Sequence, residues 1–158
     1  MKVILPGSYD PVTAGHLEII KRAALEYDEV YVVIFTNPNK KYTFSLDDRV
    51  RMLILATDEF DNVMVSYSGG LVIDYMRDHG IDKIIKGYRT DADLSWEYEQ
   101  AEWNKLHGGY DTELWKCNGE FTQVSSTRVR EALAEGDTET AKKLLSPEVY
   151  EYISNLEK

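Results

Sequence analysis

The stretch PGSYDPVTAGH, residues 6–16, places a serine and a histidine in a glycine-containing loop between an apolar run and a helix. Gly7 lets the backbone approach a ligand closely, and Ser8 offers a hydroxyl group beside it. The free N–H groups at the start of a helix favour an anion, and Gly15 leaves room for one there. His16 lies in the first turn of that helix, where its imidazole can reach a phosphate. These residue types predict a phosphate-binding loop, with a tight turn and a capping histidine as the alternative.

Cationic side chains follow two other predicted strands. Lys40 and Lys41 come after one of them. Lys86 and Arg89 flank Gly87 at the end of the other. The chain has 18 Lys and Arg against 28 Asp and Glu, which gives a net charge of −10. Clustered cations in so acidic a chain favour a site for a small anionic ligand, although the lysine pair alone also fits a solvated turn.

Hydroxyl side chains precede a further predicted helix. The stretch VSSTRVR, residues 124–130, has three of them in a row where that helix starts. Hydroxyl and N–H groups together hold phosphate oxygens at such a position, and an ordinary helix N-cap is the alternative. Taken with the histidine, lysines and arginine of the other loops, the pattern predicts a site for a polyphosphate.

Strands and helices alternate along the chain. This alternation predicts an α/β fold, a Rossmann-like, doubly wound, parallel five-stranded sheet with helices on both faces and a helical C-terminus. In such a sheet, ligands bind at the carboxyl ends of the strands, near the point where the strand order reverses. The predicted strands are 2–5, 29–35, 62–67, 82–87 and 112–117, and the predicted helices are 14–27, 45–58, 70–80, 92–107, 125–136, a short one from Asp137, and 146–157.

Composition and charge limit the classes of protein that the chain can belong to. The length predicts one domain over 1–158. With a lone cysteine (Cys117), no cationic leader and no apolar run long enough for a membrane span, we expect a cytoplasmic protein. The acidic charge counts against nucleic-acid binding. The first loop lacks both G-x-G-x-x-G and G-x-x-x-x-G-K-[ST], which counts against a dinucleotide-binding dehydrogenase and a P-loop NTPase.

Several motifs resemble those of one enzyme family. GSYDPVTAGH resembles the G-[TS]-[FY]-D-P-x-[TH]-x-G-H signature of the nucleotidyltransferase superfamily, and VSSTRVR resembles its I-S-S-[ST]-x-x-R motif. Finer features are similar to the phosphopantetheine adenylyltransferases of coenzyme A synthesis. These are the chain length, NPNKK after the second strand, GGLVIDY, and IIKGYRTDADLSWEYE, which resembles I-R-G-[LI]-R-x-x-x-D-[FL]-x-x-E. The resemblance spans most of the chain.

The resemblance implies transfer of AMP from ATP to 4′-phosphopantetheine, which gives dephospho-coenzyme A and pyrophosphate. It implies that His16 stabilises charge on the α-phosphate, Lys40 holds the phosphate of the acceptor and Arg89 binds the ATP phosphates. These three are the predicted catalytic residues. The ATP-binding residues that it implies are Ser8, Tyr9, His16, Gly87, Tyr88, Arg89, Glu97, Val124, Ser125, Ser126 and Thr127. The implied acceptor-binding residues are Ser8, Lys40, Val72 and Lys86.

The resemblance also implies Mg²⁺ carried mainly by the ATP phosphates, no metal ligands from the protein, a homohexamer, and feedback inhibition by coenzyme A. Two places depart from the family pattern. Lys86 stands where the family usually has arginine, so the bidentate fork is lost. Residues 118–123 match poorly, and no adenine contact is assigned to them. Two alternatives stay open: a nucleotidyltransferase with another acceptor, such as a mononucleotide, and a non-catalytic nucleotide-binding regulator.

Overall fold

Five parallel strands form the central sheet. A computed structural model describes residues 1–121 and 123–156. The strands are β1 (Lys2–Gly7), β2 (Glu29–Phe35), β3 (Val63–Ser68), β4 (Lys83–Tyr88) and β5 (Asp111–Lys116). They lie in the order β3-β2-β1-β4-β5, and every neighbouring pair is parallel. The doubly wound parallel fold predicted from the sequence is confirmed.

Helices cover both faces of the sheet. One face packs against side chains such as Ile20, Met52 and Val129, and the other packs against Met76. The end of the last predicted helix, at Glu157, lies outside the described residues, and the 3₁₀ turn Gly119–Phe121 has no counterpart in the prediction. Within the described ranges, no helix has the length and apolar character needed to cross a membrane. The helices are α1 (Ala14–Glu26), α2 (Leu46–Thr57), α3 (Val72–His79), α4 (Asp91–Gly108), α5 (Ser126–Ala134), α6 (Thr138–Leu144) and α7 (Pro147–Leu156).

Local capping groups fix where several helices begin and end. Ser45 caps α2, because its Oγ accepts the N–H of Asp48 at 3.1 Å. Asp137 caps α6 in the same way, accepting the N–H of Thr140 at 3.1 Å. Gly80 ends α3 with a φ of 64°, a left-handed conformation that favours glycine. These short-range signals explain why the predicted helices are confirmed with small shifts at their ends.

The strand order reverses between β1 and β4. From β1 the chain builds β2 and β3 on one side, and then β4 and β5 on the other. In the β1–β4 pairing, Val3 lies opposite Lys83 and Ile4 lies opposite Ile84. Both of the β1 residues are in the amino-terminal half of that strand. The carboxyl ends of these two strands are therefore free to separate. A gap between them is the expected ligand site of this fold class.

Candidate active site

A cleft of about 440 Å³ opens at the carboxyl ends of β1 and β4. The loops after β1, β2 and β4, together with the start of α5, supply its walls. The structure therefore brings most of the predicted site residues together. Those that line the cleft are Ser8, Tyr9, His16, Lys40, Lys86, Gly87, Arg89, Glu97, Val124, Ser125, Ser126 and Thr127.

Val72 and Tyr88 lie apart from the other predicted residues. Val72, at the start of α3, lines a second cavity of about 220 Å³ that adjoins the cleft along Ser8 and Lys86. Tyr88 lies outside the linings of both cavities. It is the last residue of β4, where its C=O accepts the N–H of Cys117 at 2.9 Å. The structure thus places Tyr88 in the sheet and not on the cleft wall.

The imidazole of His16 is fixed by Thr13. The backbone N–H of Thr13 donates to Nδ1 at 3.0 Å, so the ring proton is on Nε2. In return, the side-chain oxygen of Thr13 accepts the N–H of His16 at 3.3 Å, which completes a capping box. Burial first, and then the charges of Lys86 and Arg89, lower the pKa of His16 to about 4. At neutral pH, His16 is therefore an uncharged N–H donor.

The lowered pKa of His16 predicts how the stability of the fold depends on pH. Between pH 6.5 and about 4, the unfolded chain binds a proton at this residue that the folded chain does not bind. The free energy of unfolding therefore falls as the pH falls, by about 1–2 kcal/mol from His16 near pH 5. We compare the free energy of unfolding in urea at neutral pH and near pH 5. Between these two pH values, we expect it to fall less for His16→Gln than for the unmodified protein. An equal loss in both would contradict the lowered pKa.

Lys40 and Lys86 approach the cleft from the two sides of β1. Lys40 follows β2, and its Nζ lies 3.4 Å from the Oγ of Ser8. Lys86 lies on β4, and its Nζ is 3.4 Å from the carboxylate of Glu97. Because Lys86 borders both cavities, its charge acts at the boundary between them.

Arg89 and the start of α5 form the remaining polar walls. The Nε of Arg89 lies 3.2 Å from the carboxylate of Asp93, which orients the guanidinium group. Ser126 Oγ donates to the C=O of Pro11 at 2.7 Å, and this bond fixes the start of α5 against the first loop. The backbone N–H groups in the first turn of α5 therefore lie at the cleft, in a position that favours an anion.

Part of the cleft wall is apolar and closely packed. A Cβ added at Gly87 would lie 2.9 Å from Cγ1 of Ile19 and 3.7 Å from the Sγ of Cys117. A Cβ added at Gly15 would lie 3.6 Å from the Cβ of Val124. These five residues form what we call the apolar end of the cleft. Its apolar lining suits a nucleotide base, whereas the cationic side chains suit phosphates.

Comparison with known proteins places the chain in a family. A family model described as cytidylyltransferase-like matches residues 4–132. The phosphopantetheine adenylyltransferase of Thermobifida fusca is 41% identical over 130 residues, which cover 82% of this chain and 79% of that protein. The enzyme of the same name from Corynebacterium diphtheriae is 42% identical over 136 residues, 85% of this chain and 86% of that protein. The chain belongs to the phosphopantetheine adenylyltransferase family.

A solved structure of lower identity shares the fold. Nicotinic acid mononucleotide adenylyltransferase of Plasmodium falciparum, complexed with APC, superposes with a TM-score of 0.70. The match covers 99% of this chain and 96% of that one at 18% identity. The phosphopantetheine adenylyltransferases are nucleotidyltransferase enzymes, and the membership predicted from the sequence motifs is confirmed.

In this member of the phosphopantetheine adenylyltransferase family, Asp10 ties two loops of the site together. Its carboxylate accepts the N–H groups of Thr43 at 2.8 Å and Phe44 at 2.9 Å. Asp10 is 5% exposed, so these charge-assisted bonds are shielded from water. They hold the segment that carries Lys40 against the loop after β1. The sequence alone does not reveal this role, because Asp10-Pro11 by itself predicts only a turn.

Arg49 strengthens the same connection from α2. Its guanidinium group donates to the C=O of Phe44 and to the C=O of Ser8, each at 3.1 Å, and lies 3.9 Å above the ring of Tyr42. Arg49 is 3% exposed. Among the described residues, its contacts are two carbonyl oxygens and a ring face, and they anchor α2 to Ser8 at the cleft. Nothing in the helical pattern of residues 45–58 signals this contact.

Arg130 is a further cation at the site, beyond those predicted from the sequence. Its Nη1 donates to the C=O of Asp10 at 2.9 Å, and its Nη2 donates to the Oγ1 of Thr127 at 3.1 Å. Arg130 also lines the cleft. The signal was available, because Arg130 is the last residue of the VSSTRVR motif. Trp96, which is 60% exposed, also lines both cavities, but no motif residue or spacing in the sequence marks it as a site residue.

Proposed function

We propose that this protein transfers AMP from ATP to 4′-phosphopantetheine and so yields dephospho-coenzyme A and pyrophosphate. The observation that carries the proposal is the convergence of one neutral histidine N–H and several cations on a single cleft at the switch point of the sheet. The family supplies the acceptor, since the curated relatives are phosphopantetheine adenylyltransferases at about 40% identity.

This reaction needs neither a covalent nucleophile nor a general base. An oxygen of the acceptor's phosphate, already anionic, attacks the α-phosphorus of ATP. The bond from that phosphorus to the bridging oxygen breaks, and pyrophosphate leaves with the electron pair. The protein has to hold two anions in line and neutralise the charge that develops on the transferred group. A preorganised set of donors and cations supplies both effects.

We assign the phosphate contacts by position in the cleft. The Nε2–H of His16 donates to a non-bridging oxygen of the α-phosphate, and this bond strengthens as negative charge builds up there. Arg89 and the start of α5 hold the β- and γ-phosphates. Lys40 holds the phosphate of the acceptor, and Lys86 shares it as a point charge rather than as a bidentate fork.

The two cavities accommodate the remaining parts of the substrates. Adenine fits the apolar end of the cleft, and the pantetheine arm fits the adjoining cavity, which Val72 lines. Tyr9 supports this arrangement: its ring packs edge-on against His16, with centroids 4.9 Å apart, and its hydroxyl donates to the C=O of Leu5 at 2.9 Å. Burial raises the pKa of Tyr9, so the hydroxyl stays protonated. We therefore give Tyr9 a positioning role.

We propose that Mg²⁺ enters as the MgATP complex. The carboxylates in the cleft are already engaged: Asp10 with two backbone N–H groups, Asp93 with Arg89, and Glu97 with Lys86. Within residues 1–121 and 123–156, no three His, Cys, Asp or Glu side chains are grouped to hold a metal ion. Mg²⁺ prefers phosphate oxygens and water to a cage of protein ligands. The donor set of the cleft therefore fits a metal carried by the substrate.

Other expectations from the sequence and from the family resemblance stay predictions. They are the homohexamer, feedback inhibition by coenzyme A, the cytoplasmic location and a single domain over 1–158.

We expect pyrophosphate release from ATP and Mg²⁺ to require 4′-phosphopantetheine. The measurement compares this acceptor with nicotinate mononucleotide, using the full chain under identical conditions. Release with the mononucleotide alone would replace the acceptor and keep the nucleotidyltransferase chemistry. ATP binding without release in the presence of either acceptor would favour a non-catalytic regulator.

A further inference from the structure

Glu18 links α1 to the segment that follows β5. Its Oε1 accepts a hydrogen bond from Nδ2 of Asn118 at 2.7 Å and lies 3.4 Å from Nη1 of Arg22. The side chain of Glu18 is only 9% exposed, and its Oε2 has no hydrogen-bond partner among the described residues. A buried carboxylate oxygen without a partner destabilises a fold. The presence of this acid therefore calls for a role other than stability.

Arg22 reinforces the link. Its Nη1 donates to the C=O of Lys116, the last residue of β5, at 2.9 Å. The guanidinium carbon lies 5.0 Å from the ring centroid of Trp115. Glu18 and Arg22, one turn apart on α1, thus hold the chain on both sides of Cys117. We call these four groups, Glu18, Arg22, the Lys116 carbonyl and Asn118, the α1–β5 clamp.

The α1–β5 clamp lies directly behind the apolar end of the cleft. Cys117, between the two clamped residues, lines the cleft. The C=O of Asn118 accepts the N–H of Phe121 at 2.8 Å, and the C=O of Phe121 accepts the N–H of Val124 at 3.0 Å. Asn118 is therefore joined by two successive hydrogen bonds to Val124. Ile19, beside Glu18 on α1, also lines the cleft, so the clamp fixes Cys117 and Val124 relative to Ile19.

We propose that Glu18 and Asn118 are positioning residues for the nucleotide base, because their hydrogen bond fixes Cys117 and, through Phe121, Val124 at the apolar end of the cleft. This rests on the proposed function only in taking ATP as the ligand. The groups that face the phosphates are held by other contacts: His16 by Thr13, and Arg89 by Asp93. Loss of the clamp therefore weakens binding of the base and leaves binding of the triphosphate group intact.

Calorimetric titration of the full chain with ATP and with inorganic tripolyphosphate separates these two effects. We expect Asn118→Ala and Glu18→Ala each to raise the Kd for ATP about tenfold. The double variant should bind ATP no more weakly than either single variant. Both single variants should keep the Kd for tripolyphosphate within about twofold of that of the unmodified protein. Glu18→Gln keeps an oxygen that accepts from Asn118, so it should restore most of the affinity for ATP.

Asp111→Ala is the matched control. It removes a side-chain contact of 2.8 Å between Lys105 on α4 and Asp111 at the opposite end of β5. This contact also ties a helix to β5, but away from the clamp, so the variant should keep both dissociation constants.

Two results would overturn the role of the clamp. One is an unchanged Kd for ATP in both single variants, and the other is an equal weakening for ATP and tripolyphosphate. Undetectable ATP binding by the unmodified protein would overturn the clamp together with the proposed function. Pyrophosphate release that fails with every acceptor, while the variants still lose affinity for ATP selectively, would overturn the proposed function alone.

Discussion

His16→Ala should lower the kcat of AMP transfer by at least about 10²-fold, the effect of losing one donor to a transition state. The reason is the neutral Nε2–H, which Thr13 holds in place by bonding to Nδ1 at 3.0 Å. The stability of the fold should change much less. The lost capping contact is worth about 1 kcal/mol, whereas a 10²-fold loss of rate corresponds to about 2.7 kcal/mol. Catalysis therefore suffers more than folding.

Steady-state pyrophosphate release, with thermal unfolding of the same samples, tests this role of His16. His16→Gln should recover part of the rate, because its amide N–H also donates a hydrogen bond. His79→Ala is the matched control, since His79 is an exposed histidine that stacks on Tyr75, with centroids 3.9 Å apart, and lines neither cavity. A near-normal kcat in His16→Ala would contradict the assigned role.

The order of strands and helices could be predicted because the signals that set it are local. The β-branched and aromatic run EVYVVIF forms β2 over Glu29–Phe35, as predicted. Ser45 and Gly80 mark helix ends through contacts within one turn. Convergence of the loops on one cleft was also predictable, because parallel strands bring their carboxyl ends to the same edge of the sheet.

Contacts between segments that are distant in the chain could not be predicted. Glu18 and Asn118 are joined by a hydrogen bond although 100 positions separate them, and Asp10 reaches Thr43 in the same way. No periodicity or capping pattern records such a pairing.

The role of Tyr88 at the nucleotide stays a prediction, but its backbone position differs from the predicted loop. The sequence predicts that the strand ends at residue 87, which would put Tyr88 in the loop with Arg89. In the structure, β4 continues through Tyr88, which pairs with Lys116 in the register of β4 and β5. Tyr88 is therefore part of the sheet, and it lines neither cavity.

Asp10→Asn should lower kcat/KM for the acceptor by about 10²-fold through displacement of Lys40. The single oxygen of the new amide still accepts the N–H of either Thr43 or Phe44. The NH₂ group of the amide then faces the other N–H and cannot accept from it. An unpaired buried donor costs about 1–3 kcal/mol, so the segment that carries Lys40 moves to restore its hydrogen bonding. A displacement of about 1 Å at a group that aligns the reacting phosphates is sufficient for this loss of rate.

The same substitution at Asp137 provides the control for Asp10→Asn. Asp137 also accepts two hydrogen bonds, from the N–H of Thr140 at 3.1 Å and from its Oγ1 at 2.7 Å. It caps α6, where asparagine serves as well as aspartate, so kcat/KM should not change in Asp137→Asn. In Asp10→Asn, the Kd for ATP should stay close to that of the unmodified protein, because Arg89 and the start of α5 keep their own contacts. An equal loss of affinity for ATP and of kcat/KM for the acceptor would show that Asp10 supports the whole cleft. A loss confined to the acceptor would show that the contacts of Asp10 with Thr43 and Phe44 support Lys40.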